Sequence, residues 1–282
     1  MFGSMAETAA ELTGADLDAY FDRIQYAGSR EPTVPVLHAL SDAHVRAIPF
    51  ENLDVLLGRP IELAPRALIA KLVHARRGGY CFEHNGLFLL VLQALGFDAR
   101  AVGARVRLDR PRDFTPPRTH QFVQVTIGGD VWLADVGVGG VSLTSAIRLA
   151  LDVEQATSHE PRRLVSVARA LFHQIRFPDG WHDVCEFTLD EMPPIDREVG
   201  NWYTSAHPRS HFKDKLIVAR GLPDGGRLTL LNGELRRRRR GAEPQRQPIA
   251  GAEELLRVLA EEFGLAFPAQ TRFGPPGSPW PS

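Results

Sequence analysis

The apolar positions change period along the chain. Leu17, Tyr20, Phe21 and Ile24 recur at i, i+3, i+4 and i+7, the stripe of an amphipathic helix. Pro35 opens a second helix carrying Leu37, Leu40 and Val45, and Pro49 closes it. Leu68, Ile69, Leu72 and Val73 mark a third. A fourth runs from about Cys81 to Leu95 and stops at Gly96, a good C-terminal breaker. From about Asp98 to Phe187 the period shortens. Residues 102–106, 120–127, 131–136, 164–167 and 184–189 read as strands separated by Gly, Pro and Asp, which predicts an antiparallel sheet or small barrel. The last third is mixed: residues 216–219 and 228–231 are strand-like, and 253–263 form a helix ended by Gly264. The terminal GPPGSPWPS reads as extended coil. The chain is of the α+β class.

Composition narrows the partners. With 282 residues, 44% of them apolar, the chain has material for one sizeable core or two or three modest ones. A charged fraction of 24% and a net charge of -1 argue against a general nucleic-acid binder. No apolar run reaches the roughly 18 residues of a membrane span, and the first residues lack the basic-then-apolar order of a secretory signal. Two cysteines make no disulfide framework. The expectation is a protein of a reducing cytoplasm, where a lone cysteine is core filler or reactive.

The segment RRGGYCFEHNGLF carries the sharpest chemistry. Gly78-Gly79 breaks the preceding helix and puts Cys81 in the first turn of the next. Exposed N–H groups and the helix dipole there favour an anionic sulfur. On this segment alone, a nucleophile and a small buried hydrophobe both stay open. Cys185 sits inside a strand-like run without a bend or helix start and reads as core.

A nucleophilic cysteine needs a base, and the base needs an orienting partner. THQFVQVTIGGDVWLADVGVGG supplies both. With Gly128-Gly129 as a two-residue type I′ turn, Ile127 faces Asp130 and Phe122 faces Asp135. His120 lies two positions from Phe122 on the same face, so His120 and Asp135 become diagonal neighbours. A slip of one residue would separate them. Read alone, the pair is first of all a satisfied core contact and a strand-end cap. Joined to a cysteine at a helix start, it completes a Cys-His-Asp set.

Other features say less. His84 follows Cys81 at i+3 and points away from a role like that of His120; His38, His44 and His74 fall on helices as surface or packing residues. Cys81, Glu83 and His84 lack a second pair at ligand spacing, so no metal is expected. The Gly-rich run 136–140 either offers backbone N–H groups to an anion such as a phosphate or is a flexible strand exit. Five arginines, 236–240, read as a solvated hairpin or loop.

Seven segments together carry a family resemblance: IPFENLDVLLGRP, RGGYCFEHN, RTHQFVQV, ADVGVGG, QATSHEPRRL, NWYTSAHPRSHF and EEFGLAFP, in order over nearly the whole length. The chain resembles the arylamine N-acetyltransferases. The resemblance implies an N-terminal helical bundle (1–95) carrying the cysteine, a central β-barrel (96–203) carrying the histidine and aspartate, and a C-terminal α/β lid (204–282). It implies a triad of Cys81, His120 and Asp135. It further implies acetyl-CoA or a related short acyl-CoA as donor, an arylamine or arylhydrazine as acceptor, and no metal. Aromatic pocket residues of the family fall on Phe50 and Phe212, and Gly137, Gly139 and Gly140 are the expected CoA contacts. The family usually has Phe where this chain has Val138, which predicts a wider pocket or weaker stacking. Alternatives sharing the residue order are a cysteine hydrolase or transglutaminase-like enzyme, and a non-catalytic CoA-binding protein. A homodimer is among the assemblies the sequence permits.

Overall fold

The computed structural model describes residues 12–239 and 242–274. The N-terminal calls on residues 1–11, the coil assigned to the final segment beyond Gly274, and Arg240 lie outside them.

Five helices come first: α1 (Gly14–Ile24), α2 (Val34–Ala47), α3 (Leu53–Leu56), α4 (Pro65–Leu68) and α5 (Cys81–Ala94), with the two-residue strand β1 (Phe50–Glu51) between α2 and α3. Thr13 and Asp16 form a capping box at the start of α1, satisfying two orphan N–H groups. The third helix expected from the sequence is more complex than its periodicity. After one α turn it widens into a π-helical stretch, Ile69–His74, which still buries Ile69, Leu72 and Val73. Helix α5 is buried on nearly every side, as its all-round apolar character requires. Its Leu87, Phe88, Val91 and Leu92 join Tyr20, Leu37, Leu40 and Leu72 in the largest core. Truncating Phe88 to Ala there should cost about 3–5 kcal/mol.

The middle of the chain forms β2 (Asp98–Val106), β3 (His120–Ile127), β4 (Asp130–Ala134), β5 (Ile147–Arg148), β6 (Arg162–Val167), β7 (Ala170–Phe177) and β8 (Gly180–Glu191). Their order is β5-β4-β3-β2-β8-β7-β6, all antiparallel. The segment after β5 bridges to the far edge, Leu151 to Leu164 and Gln155 to Arg162, so the sheet is a nearly closed barrel. Phe122, Leu133, Ile147, Leu164, Cys185 and Phe187 fill it, which makes Cys185 core as expected. The opposite face of β3, through Val123 and Val125, packs on the helical core. The turn at Gly128-Gly129 has φ of +59° and +87°, and the register runs Ile127–Asp130 to Val123–Ala134 as the turn chemistry predicts. One boundary differs. Strand β4 ends at Ala134 rather than at 136, because Leu143 N–H takes the Asp135 carbonyl and an Asn85 side chain takes Val136 N–H.

The rest comprises α6 (Pro194–Ala206), β9 (Ile217–Gly221), β10 (Arg227–Leu231), β11 (Glu234–Arg238), β12 (Gln245–Pro248) and α7 (Ala252–Phe263). The second sheet has the order β1-β9-β10-β11-β12 and packs against α7 through Leu228, Leu230, Leu255, Leu259 and Phe263. Helix α6 spans the boundary drawn at 203/204. The arginine run lies, over its first three residues, on the second arm of the β10–β11 hairpin, as one of the two expected forms, but half-buried rather than fully solvated.

Candidate active site

Cys81 is the first residue of α5, and the chain entering it is tightly constrained. A Cβ on Gly78 would lie 2.0 Å from the Pro49 carbonyl oxygen, so only glycine allows this approach. Next to it, Glu51 N–H donates to the Gly79 carbonyl at 2.7 Å. The bend that frees the helix start therefore also fixes Phe50 beside it. Glu83 accepts from Tyr80 N–H at 3.0 Å and is paired to Lys71 at 2.6 Å. Burial raises the Glu83 carboxyl, against the pull of Lys71, to about 7.

Across from the helix start stand the barrel residues. His120 Nε2 lies 2.7 Å from Asp135 Oδ2, with both side chains buried. The carboxylate takes the Nε2 proton, which leaves Nδ1 for the sulfur. Burial alone would lower the imidazole, but the charge and hydrogen bond of Asp135, with the contact to Cys81, raise it to about 10. Burial likewise works against ionisation of Asp135. The imidazolium and the hydrogen bonds from His120, Asn85 and Gly137 outweigh it and hold the carboxyl below its usual range. The Cys81 thiol points at the Thr119 carbonyl, 3.6 Å away, on the residue preceding His120.

Asn85 is a site residue that the sequence reading passed over. It lies one turn beyond Cys81 and is fully buried. Its Nδ2 donates to Asp135 Oδ1 at 2.9 Å and to the Gln121 carbonyl at 2.6 Å; its Oδ1 accepts from Val136 N–H at 3.0 Å. One amide thus ties the cysteine helix to the strand of His120 and to the loop of Asp135. The available signal was its i+4 spacing from Cys81.

His84 does stand apart from the triad. Its Nε2 donates to the Pro49 carbonyl at 3.1 Å, so Nδ1 accepts from His44 Nε2 at 2.8 Å, and His44 Nδ1 accepts from Tyr20 at 2.9 Å. Burial lowers both imidazoles, His84 to about 4. This is a neutral chain running one way behind the Pro49–Phe50 turn.

The other expected contacts separate. Phe50 and Phe212 meet, ring centroids 6.2 Å apart, and Tyr80 lies edge-on to Phe212. Gly139, at φ +70°, abuts the Phe50 ring, and Gly140 abuts Thr229. Gly137 donates its N–H to Asp135 Oδ1 at 3.2 Å and packs against the backbone of Cys81. Val138 packs with Val141, Ile175 and Val184 in a separate small cluster. A cleft of about 430 Å³ lies along Arg107, Arg112, Trp181 and Asp183, with no triad residue in its lining. A second, about 340 Å³, lies against Thr119, Met192, Gly200 and Tyr203. Among the described residues, no three His, Cys, Asp or Glu side chains cluster as a metal cage, and no helix is long and apolar enough to cross a membrane.

A thiol at a helix start facing a His–Asp pair is the geometry of acyl transfer through sulfur. Residues 33–272 match the family model described as N-acetyltransferase. The arylamine N-acetyltransferase of Mycobacterium tuberculosis is 44% identical over 89% of both chains. The chain belongs to the arylamine N-acetyltransferase family. The Salmonella typhimurium relative, an arylamine N-acetyltransferase / N-hydroxyarylamine O-acetyltransferase, is 41% identical over 88% of each chain. Among solved structures, the Salmonella typhimurium arylamine N-acetyltransferase superposes with a TM-score of 0.87 at 39% identity, covering 92% of this chain and 96% of that one. The Mycobacterium marinum enzyme in complex with CoA gives 0.85 at 40% identity, covering 88% and 92%.

Proposed function

We propose that Cys81 carries the acyl group, that His120 moves the protons, and that Asp135 orients and charges His120. The chain is an acetyl-CoA-dependent arylamine N-acetyltransferase, the activity its family carries. The observation supporting the residue roles is the buried His120–Asp135 bond opposite a thiol in the first turn of α5. In the first half-reaction the Cys81 sulfur attacks the thioester carbonyl. The Cys81 S–C bond forms, the CoA S–C bond breaks, and His120 gives its proton to the departing CoA sulfur. In the second, the amine nitrogen attacks the acyl-cysteine carbonyl. A new N–C bond replaces the S–C bond, and His120 takes the amine proton. The positive end of α5 faces the oxyanion that develops at each step. Phe50 and Phe212 form the aromatic wall for an arylamine or arylhydrazine. The glycine N–H groups of Gly139 and Gly140 face the donor, while Gly137 serves close packing.

The test is to mix enzyme with acetyl-CoA alone. One acetyl group should appear on Cys81 by mass spectrometry, with stoichiometric release of CoA. Cys81→Ala should show neither the adduct nor transfer. Transfer by Cys81→Ala at the normal rate, or intersecting lines in double-reciprocal plots, would end the acyl-cysteine reading. CoA release with no acylated amine would favour a hydrolase.

A further inference from the structure

The segment QATSHEPRRL remains unexplained by the chemistry above. It contains Glu160 and Arg162, just before and within β6. Arg162 is fully buried and donates from Nη2 to the Val141 carbonyl at 2.9 Å. Arg227, on β10 of the second sheet and equally buried, donates from Nη2 to the Ser142 carbonyl at 2.8 Å. Both carbonyls end the Gly-rich loop that follows Asp135. Between the two guanidinium groups lies Glu160. Its Oε2 is 3.2 Å from Arg162 and 2.8 Å from Arg227, and its Oε1 is 3.0 Å from Arg227 Nε. Arg238 of β11 also pairs with it.

Two buried cations holding one loop repel each other and lack water. Removing their shared anion leaves both charges uncompensated. The titratable groups that face this junction are Glu160, Arg162, Arg227 and Arg238, with His173 Nε2 3.5 Å from Arg162 Nη1, the neighbouring His159, whose Nε2 donates to the Gly226 carbonyl, and Asp135 and Asp42 beyond contact distance. Glu160 is the carboxylate in direct contact with the three arginines. The loop it steadies touches Phe50 through Gly139 and Thr229 of β10 through Gly140. Asp135, by contrast, is held by Asn85, His120 and the first loop amide at Gly137, with no direct bond to the arginines.

We infer that Glu160 is a positioning residue for acceptor selectivity: acting through Arg162 and Arg227, it sets where the Gly-rich loop stands against the Phe50–Phe212 wall. This rests on the acyl-transfer reading and on Phe50 and Phe212 as the acceptor wall. The acyl-CoA assay with wild-type enzyme tests that reading separately.

The experiment compares Glu160→Gln with wild type on the pre-acetylated enzyme, using a single-ring hydrazine and a fused-ring arylamine as acceptors. Glu160→Gln keeps the shape and loses the charge. The ratio of kcat/KM between the two acceptors should change by roughly five- to ten-fold, mainly through KM. The rate of Cys81 alkylation by iodoacetamide should stay within about two-fold. Arg238→Ala, which touches Glu160 but not the loop, should leave the acceptor ratio unchanged. If Glu160→Gln does not fold, Arg227→Lys decides by the same ratio, since it keeps a charge and loses the fork that reaches Ser142. An unchanged ratio, or an equal loss with both acceptors alongside slower alkylation, overturns the proposal.

Discussion

Two corners of this site are held by opposite means. The triad corner depends on Asn85, a neutral amide with three short bonds that knit helix α5 to β3 and to the loop after β4. The wall corner depends on Glu160, a carboxylate among three arginines drawn from the barrel and the second sheet. An amide holds the same bonds across the working pH range. An ion cluster holds only while its charges are present and mutually arranged. The tie that must not vary for any acceptor is thus made by a neutral amide, and the surface that distinguishes acceptors is held by an ion cluster.

The largest break in this comparison is Asp135→Asn. It should lower kcat by about 10⁴, because an amide supports the wrong imidazole tautomer and no imidazolium. The same variant sharpens the electrostatic side. His120 is raised from its ordinary value near 6.5 to about 10 in the folded protein. Its contribution to stability is therefore complete below about 6.5 and disappears as pH rises through about 10. The Tm difference between wild type and Asp135→Asn should shrink across that interval; a difference constant to pH 10.5, about half a unit above the folded value, would contradict the pairing. Glu160 gives the opposite sign. Burial opposes its ionisation, but Arg227, Arg162 and Arg238 hold it down to about 2. Its contribution is present above about 4.5 and is lost as pH falls through about 2.

Next in size is Asn85→Ala. Freeing Asp135 and the Gln121 strand from α5 should cost on the order of 100-fold in kcat, the usual effect of an ångström of misplacement. KM for different acceptors should move together, unlike the effect of Glu160→Gln. A change in acceptor ratio in Asn85→Ala would dissolve the distinction between the corners. The smallest effect belongs to Val138→Ala. Because Val138 packs with Val141, Ile175 and Val184, the variant should lose about 1–2 kcal/mol of stability and leave acceptor preference alone. A shift in preference at unchanged Tm would put Val138 in the pocket wall.

What the sequence disclosed followed the range of the forces involved. The His120–Asp135 pair was legible because the turn at Gly128-Gly129 sets register within fifteen residues. Helix α5 was legible from its glycine breakers. Strand β7 was not, because buried His173 and Gln174 interrupt its apolar run. Helix α6 was not, because its large apolar residues Ile195, Val199 and Trp202 face solvent and point to no core. Strand β11 looked like solvated charge because the partner of Arg238 lies 78 positions away. Asn85 escaped for a related reason: its partners, the Gln121 carbonyl and Asp135, are 36 and 50 residues distant.

The two residues of β1 pair with β9 on one side and meet Gly79 on the other. Asn52 then binds the Phe212 and Lys215 carbonyls and Ile217 N–H, each within 2.9 Å. A stitch of three residues thereby sews the C-terminal sheet to the entrance of the cysteine helix. Swinging that sheet away as a hinged door would tear every one of these bonds. Turnover should therefore respond to crowding of the passage past Cys81 more than to clamping of the sheet.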